Sequence, residues 1–307
     1  DFKRKNISSL FKSSSAFIDS ESNDFHTLIV DEAHRLNKRT QLGPRITGED
    51  QIKEIINAAA CSIFFIDEDQ RVTAQDYGDR KQILNWAKHY QAEVEETQLV
   101  SQFRCNGSDG YLSWLDGILG VQKETANATL EGIEYDFRVL DDPLKLRRLI
   151  VEKNKADNKA RLVAGYCWEW ISKNGSNADN DIVIGDFSMR WNLSSDPTFA
   201  ISKSSIEQVG CIHTTQGLEF SYVGVIIGND LRYEEDRVIT DFTKRAKTDK
   251  SLNGLIGKVK KGDRQAEKDV DIIIRNTYRT LMSRGMKGCF VYCTNKELAK
   301  FIRSRII

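Results

Sequence analysis

Two adjacent carboxylates and a histidine follow an apolar run near the start of the chain, where residues 27–34 read TLIVDEAH. A buried strand would bring Asp31 to a sheet edge, where its carboxylate could hold Mg²⁺ through water. It would also place Glu32 to orient or deprotonate a water that attacks a γ-phosphate. An Asp-Glu pair can instead simply cap the helix after a strand. The pair alone leaves both interpretations open.

Four further blocks supply groups that such chemistry needs. In chain order they read SIFFIDEDQR (62–71), LVSQFR (99–104), CIHTTQGLEF (211–220) and YRTLMSRG (278–285). Phosphoryl transfer spreads negative charge over the γ-phosphoryl oxygens, and the planar fork of an arginine suits a phosphate edge better than lysine. Arg104 and Arg284 are therefore candidates for transition-state stabilisation. A salt bridge within their own domain is the alternative for each.

The five blocks together resemble the Walker B element and motifs III to VI of superfamily 1 helicases, in order and in approximate spacing. The chain resembles most closely the helicase domain of the Schlafen group 3 type, over nearly its whole length. This resemblance implies ATP and Mg²⁺ as cofactors and single-stranded DNA or RNA as partner, and some relatives carry an attached nuclease domain.

The resemblance also implies roles for individual residues. Gln70 is similar to a sensor of the γ-phosphate, because an amide can donate and accept at once. Glu219 resembles the carboxylate that contacts the nucleotide ribose, beside Gly217, which permits a close backbone approach. His213 and Thr214 resemble residues that meet the nucleic-acid backbone.

At the positions of Arg104 and Arg284 the motifs carry an arginine that the facing domain supplies to the γ-phosphate. Loss of such an arginine should reduce hydrolysis and leave folding little changed.

One element that the resemblance demands is missing. No Gly-x-x-x-x-Gly-Lys-[Ser/Thr] loop occurs in the sequence, although a nucleoside-triphosphate motor needs one to wrap the phosphates. In relatives this loop precedes the Walker B element by several tens of residues. We therefore expect Asp1 to be an internal residue of a longer protein, and we expect residues 1–307 alone to hydrolyse ATP only at background rate.

The amino-acid composition limits the classes of protein to which this chain can belong. The chain has 45 basic and 45 acidic residues, so any nucleic-acid surface must be local. The most basic segment is 244–268, in which Lys258, Lys260 and Lys261 are candidate phosphate contacts; a solvated, partly disordered insertion is the alternative.

No apolar run approaches the ~20 residues of a membrane span. Six cysteines without a Cys-x-x-Cys pair favour reduced thiols. We expect a cytoplasmic monomer.

Alternating apolar strands and amphipathic segments predict an α/β protein of two RecA-like parallel-sheet domains. The first, residues 1–98, is incomplete and holds strands near 26–31 and 61–67 with a helix over 49–60. The second, residues 99–307, should hold strands at 135–140, 161–167, 181–185, 209–213, 222–228 and 288–292. Trp168 and Trp170 alternate along one of these strands, which favours core packing over base stacking.

Two functional classes remain. The first is an ATP-driven translocase or helicase, and the second is a nucleotide-dependent binding or regulatory module for an attached nuclease or effector domain. Glu32 and Arg284 favour the first class, because a pure binder would not need a water-activating acid.

Overall fold

A computed structural model describes residues 9–42, 45–98, 105, 108–122, 125–174, 179–192, 199–215 and 217–307. The chain forms two compact units, Asp1–Gln98 and Leu99–Ile307, which we call unit 1 and unit 2. None of the helices in these described ranges is both long and apolar enough to cross a membrane.

Unit 1 is built around a pair of parallel strands, in which Val30 lies opposite Phe64. Its strands are β1 (Phe25–Val30), β2 (Thr40–Leu42), β3 (Arg45–Thr47) and β4 (Ala59–Phe64), and its helices are α1 (Gln51–Ala58) and α2 (Arg80–His89). The short strands β2 and β3 form a separate antiparallel pair.

Helix α1 begins where the Asp50 carboxylate accepts the backbone N–H groups of Ile52 and Lys53, which satisfies donors that have no partner within the helix. Its buried side chains Ile52 and Ile55 pack with Phe17 under the sheet. This core holds β1 and β4 in place, so the ends of both strands are fixed relative to each other.

Unit 2 contains one large sheet. Its strands run in the order β5-β13-β10-β6-β9-β8-β7, and every pair is parallel except β7 with β8. The strands of unit 2 are β5 (Asp136–Leu140), β6 (Ala160–Ala164), β7 (Ile182–Ile184), β8 (Phe187–Trp191), β9 (Gln208–Gly210), β10 (Phe220–Ile227), β11 (Leu231–Glu234), β12 (Arg237–Thr240) and β13 (Gly285–Cys293). Strands β11 and β12 form a small antiparallel hairpin.

The helices of unit 2 are α3 (Asp109–Leu119), α4 (Pro143–Asp157), α5 (Ile212–Thr215), α6 (Ile256–Val259), α7 (Arg264–Met282) and α8 (Lys296–Arg303). Helix α4 packs against β5, β6, β10 and β13, and α7 packs against β10. Every residue of β6 is buried, as expected of a parallel strand whose two faces are covered. The two sheets confirm the predicted α/β class.

Three local expectations were wrong. The strand expected at 209–213 ends at Gly210, because the chain turns into α5 there. The strand expected at 161–167 ends at Ala164, so Trp168 and Trp170 lie in a loop and not on a sheet face. Strand β8 was not predicted.

The basic segment 244–268 is not a solvated insertion throughout. Leu252 is buried, and the fully buried Arg245 pairs with Asp230 at 3.0 Å and with Asp249 at 3.1 Å. Burying a guanidinium requires such partners, so this part of the segment belongs to the folded core of unit 2.

Candidate functional site

The carboxyl ends of β1 and β4 bring the Walker B block and the motif III block to one sheet edge. Because the two strands are parallel neighbours, the loops that follow them leave the sheet side by side. Backbone bonds join these loops: the Phe65 N–H donates to the Val30 carbonyl at 2.9 Å, and the Ala33 N–H donates to the Phe65 carbonyl at 2.8 Å. Asp31 and Glu32 thus lie directly beside the start of the motif III loop.

Asp31 presents an exposed carboxylate at this edge. Its Oδ1 accepts the backbone N–H of Glu32 at 2.9 Å. No group of three or more His, Cys, Asp or Glu side chains that could hold a metal ion occurs within the described residues. Mg²⁺ normally takes only one or two carboxylates and completes its shell with phosphate oxygens and water, so a lone exposed Asp31 fits that ion.

Glu32 has a left-handed backbone, with φ 51° and ψ 42°. This conformation costs a residue with a Cβ about 1 kcal/mol or more, and such costs concentrate at functional sites. Its Oε2 lies 3.1 Å from Nε2 of His34, a side chain that is only 1% exposed. The buried imidazole therefore fixes the Glu32 carboxylate, a contact that the sequence did not predict.

The backbone conformation of Glu32 gives a stability prediction. Glu32→Ala and Glu32→Gly both delete the contact with His34, but only glycine relieves the left-handed strain. We expect Glu32→Gly to unfold in urea with about 1 kcal/mol more stability than Glu32→Ala. In ordinary helical backbone the order would be reversed, so a more stable alanine variant would contradict the geometry at this residue.

Gln70 is buried in the motif III loop, with 3% of its surface exposed. Its Nε2 donates to Oδ2 of Asp67 at 2.6 Å, and Asp67 also accepts the backbone N–H of Asp69. The amide therefore contacts its own loop in this structure. Its expected role as a γ-phosphate sensor stays a prediction.

Gly78 is a contributor that the sequence analysis missed. A Cβ at this position would lie 1.8 Å from the carbonyl oxygen of Ala33. The backbone N–H groups of Tyr77 and Gly78 both donate to the carbonyl of Leu36, at 2.8 and 3.1 Å. The chain after motif III thus closes onto the Walker B loop, and only glycine allows that approach. Gly78 is a single glycine outside the recognised motifs, so the sequence did not indicate this contact.

Glu219 and Arg284 lie together at the amino-terminal edge of the large sheet of unit 2. Each directly precedes one of the parallel neighbours β10 and β13, and the Phe220 N–H donates to the Arg284 carbonyl at 2.9 Å. The Glu219 side chain is exposed, and so is Gly217, whose φ of +77° suits glycine. Motifs V and VI therefore share one edge.

The Arg284 side chain is 1% exposed. Its Nε donates to the Thr280 carbonyl at 3.2 Å and its Nη1 to the Leu218 carbonyl at 3.4 Å. The guanidinium thus lies inside unit 2, bound to the backbone of motifs V and VI. The expectation that its removal leaves folding little changed needs correction, because these carbonyls would lose buried donors.

Side chains on α3, before α3 and before β5 surround the motif VI turn. Tyr111 Oη donates to the Met282 carbonyl at 3.0 Å, Cys105 Sγ to the Ser283 carbonyl at 3.5 Å, and Tyr135 Oη to the Gly285 carbonyl at 2.8 Å. These donors satisfy carbonyls at the end of α7. Burial raises the pKa of both tyrosines well above the ordinary value, which keeps their hydroxyls protonated as donors. Arg104 lies outside the described residues.

His213 and Thr214 lie on α5, after the carboxyl end of β9 and away from Glu219. The Thr214 hydroxyl accepts the Cys211 N–H at 2.9 Å and donates to the Cys211 carbonyl at 3.0 Å, so it shapes its own turn. The His213 side chain is exposed, and its ring centroid lies 6.2 Å from that of Tyr166. The side chains of Lys258, Lys260 and Lys261 are also exposed, on α6 and the turn after it.

Comparison with known proteins agrees with this distribution of motifs. The family model for the Schlafen group 3 DNA/RNA helicase domain matches residues 1–295. Uncharacterized protein YPL245W of Saccharomyces cerevisiae is 25% identical over 294 residues, which are 88% of this chain. The match spans 63% of that relative's own length. The chain belongs to the Schlafen group 3 DNA/RNA helicase domain family.

Proposed function

We propose that this domain is part of an ATP-dependent motor that moves along single-stranded nucleic acid. The observation that supports this most is the shared edge of β1 and β4, where backbone hydrogen bonds join the residues on either side of Asp31 and Glu32 to Phe65, at the start of the Gln70 loop. A merely structural Asp-Glu cap would not need a strained backbone at Glu32 or a buried histidine against its carboxylate.

Each residue at this edge has a distinct task in the proposal. The Asp31 carboxylate would hold Mg²⁺ through water, and that ion would neutralise charge on the β- and γ-phosphate oxygens. Glu32 orients or deprotonates the attacking water, while His34 keeps its carboxylate in one position. Gln70 reports on the γ-phosphate after leaving its bond to Asp67.

Unit 2 contributes the second set of groups. On the strength of the motif resemblance, we assign Glu219 to the ribose and Arg284 to the γ-phosphate; the two residues directly precede adjacent strands. Arg284 must first exchange its carbonyl partners for phosphate oxygens. A phosphate is the stronger partner for a guanidinium because both are charged, so nucleotide binding can drive that exchange.

The burial of Arg284 also favours a second candidate function. If its guanidinium stays bound to Leu218 and Thr280, the domain would bind nucleotide as a switch for an attached nuclease or effector without unwinding. The full-length gene product separates the two functions. ATP turnover that rises with added oligonucleotide, together with strand displacement, supports the motor. Nucleotide binding without displacement supports the switch.

The exposed lysines of α6 and the following turn provide a test of where the nucleic acid binds. Neutralising Lys258, Lys260 and Lys261 to glutamine should weaken single-stranded nucleic-acid binding at all sequences alike. It should also reduce the slope of log affinity against log salt by about 2. A double variant of Lys296 and Lys300, exposed lysines of α8, is the control. An unchanged salt slope in the triple variant would remove these lysines from the interface.

A further inference from the structure

Trp168 differs from the other tryptophans of this protein. Trp86 and Trp170 make ring contacts, Trp191 packs edge-on against Tyr166 and Trp170, and Trp114 donates its indole N–H to the Arg305 carbonyl. Trp168 is partly exposed, and within the described part of the chain its ring has no aromatic, cation–π or hydrogen-bonding partner. A partly exposed indole without such partners can still stack on a planar ligand.

The backbone on both sides of Trp168 is fixed. Before it, Cys167 packs so closely on β10 that a Cβ at Gly228 would lie 2.3 Å from its sulfur. After it, the Glu169 carboxylate accepts the backbone N–H groups of Lys247 at 2.7 Å and Thr248 at 3.2 Å. A ring on such a rigid loop loses little conformational entropy when it binds a ligand.

The segment that holds this loop is itself anchored in the core. We call residues 244–251 the strap. The Ala246 N–H donates to the Tyr166 carbonyl at 2.7 Å, and Arg245 binds the fully buried Asp230 at 3.0 Å. Arg245 also donates to the Thr277 hydroxyl of α7 at 3.2 Å. The strap therefore presents the exposed Lys247 at a defined place beside the Trp168 loop.

The surroundings of Trp168 combine aromatic and cationic groups. The loop leaves the carboxyl end of β6, and the exposed His213 follows the carboxyl end of β9, the parallel neighbour of β6. The exposed Lys247 of the strap lies beside the same loop. Ligands of open α/β sheets bind at this edge of the sheet. An aromatic face beside a lysine is the arrangement that binds unpaired bases and their phosphates, and an imidazole N–H can donate to a phosphate oxygen.

The negative charge of Glu169 restricts the orientation of a polymer bound at Trp168. Hydrogen bonds from the Lys247 and Thr248 backbone lower the pKa of Glu169, so its carboxylate is ionised at neutral pH and repels phosphates. A neutral base face over Trp168, with the backbone turned toward Lys247 and His213, avoids that repulsion. In a duplex both faces of each base are already stacked, so the arrangement selects single strands.

We propose that Trp168 stacks on one base of a single-stranded nucleic acid, whose phosphates contact Lys247 and His213. This inference rests on the proposed function, because it supposes that the domain binds such a polymer. The stacking contact of Trp168 lies outside the five helicase motifs, whereas His213 belongs to motif V. It also replaces the expectation of core packing for Trp168.

The test compares three oligonucleotides of equal length, about 12 nucleotides, within the site sizes of single-strand binding proteins. These are oligothymidylate, oligouridylate and an abasic strand that keeps the phosphates and lacks the bases. Trp168→Ala in the full-length protein should weaken oligothymidylate binding roughly 5- to 100-fold and leave abasic binding unchanged. Trp168→Phe should restore most of the affinity. The affinity for oligouridylate, compared with that for oligothymidylate, shows whether RNA bases stack on Trp168 as well as DNA bases do.

Ile171→Ala, at an exposed side chain of the same loop, is the matched control and should leave all three affinities unchanged. Equal losses on the thymidylate and abasic strands, or no loss on either, would overturn the stacking assignment. If the unmodified protein binds none of the strands, the proposed function fails as well. Normal binding by both the unmodified protein and Trp168→Ala would reject this inference alone. Thermal melts of the variants identify any loss that comes from unfolding.

Discussion

Glu32→Gln should reduce ATP turnover by the full-length gene product at least ~10²-fold, as removal of a general base does, while nucleotide still binds. Glutamine keeps the size of the side chain and can keep the contact with His34. It cannot take a proton from the attacking water or attract it with a negative charge. Because the substitution is isosteric, the loss should fall on kcat and leave KM for ATP nearly unchanged.

The matched control is Glu68→Gln, which changes an exposed acid at the same sheet edge. The Glu68 Oε1 accepts the Arg80 N–H at 2.9 Å, and a glutamine oxygen can accept the same bond. Its turnover should stay within about twofold of the unmodified protein, a change of under 0.5 kcal/mol in the barrier. Equal rates for both variants would remove Glu32 from the catalytic step.

Arg284→Ala should lower the hydrolysis rate by a factor on the order of 10³, as loss of an arginine finger does. The burial of this side chain means that stability must be measured beside activity. Alanine removes the arginine donor of the Leu218 carbonyl and one of the donors of the Thr280 carbonyl, which keeps the Ser283 hydroxyl at 3.1 Å. We expect this loss to cost about 1–3 kcal/mol. Arg284→Lys keeps the charge but not the planar fork, so it should rescue turnover poorly.

Arg275→Lys provides the comparison on α7, the helix that precedes Arg284, because Arg275 binds Asp271 at 2.8 Å and has no assigned part in catalysis. It should melt slightly lower and turn over normally. If Arg284→Lys melts like the unmodified protein and also turns over like it, Arg284 does not contact the γ-phosphate. The nucleotide-dependent switch would then be the better account.

The long periodic elements of the fold were predictable from sequence. Apolar runs ending in acids at Asp31 and Asp67 predict buried parallel strands. The structure places both runs in one parallel pair, but the expected burial was wrong, because Ile29 and Ile63 are exposed in unit 1. Strand ends near polar turns were less predictable. At Cys211 the apolar pattern continues, but the Thr214 hydroxyl accepts the Cys211 backbone N–H, and the chain enters helix α5. Such local competition leaves no trace in hydrophobic periodicity.

Sequence motifs identified candidate site residues but not what surrounds them. The buried contact of His34 with Glu32 and the approach of Gly78 to Ala33 join residues through tertiary packing. The same is true of Arg245, which composition assigned to a solvated or phosphate-binding segment and which pairs instead with Asp230. A basic residue at the surface and one in a buried pair have the same sequence signature, because their partners lie far away along the chain.

The most direct test of the central claim is steady-state ATP turnover by the full-length gene product and its Glu32→Gln variant, with and without single-stranded oligonucleotide. We predict that the oligonucleotide raises turnover by the unmodified protein. We predict that the variant stays at background in both conditions, although it binds nucleotide. Turnover that is indifferent to the oligonucleotide and equal in the two proteins would contradict the assignment of this sheet edge as the hydrolytic site of a nucleic-acid motor.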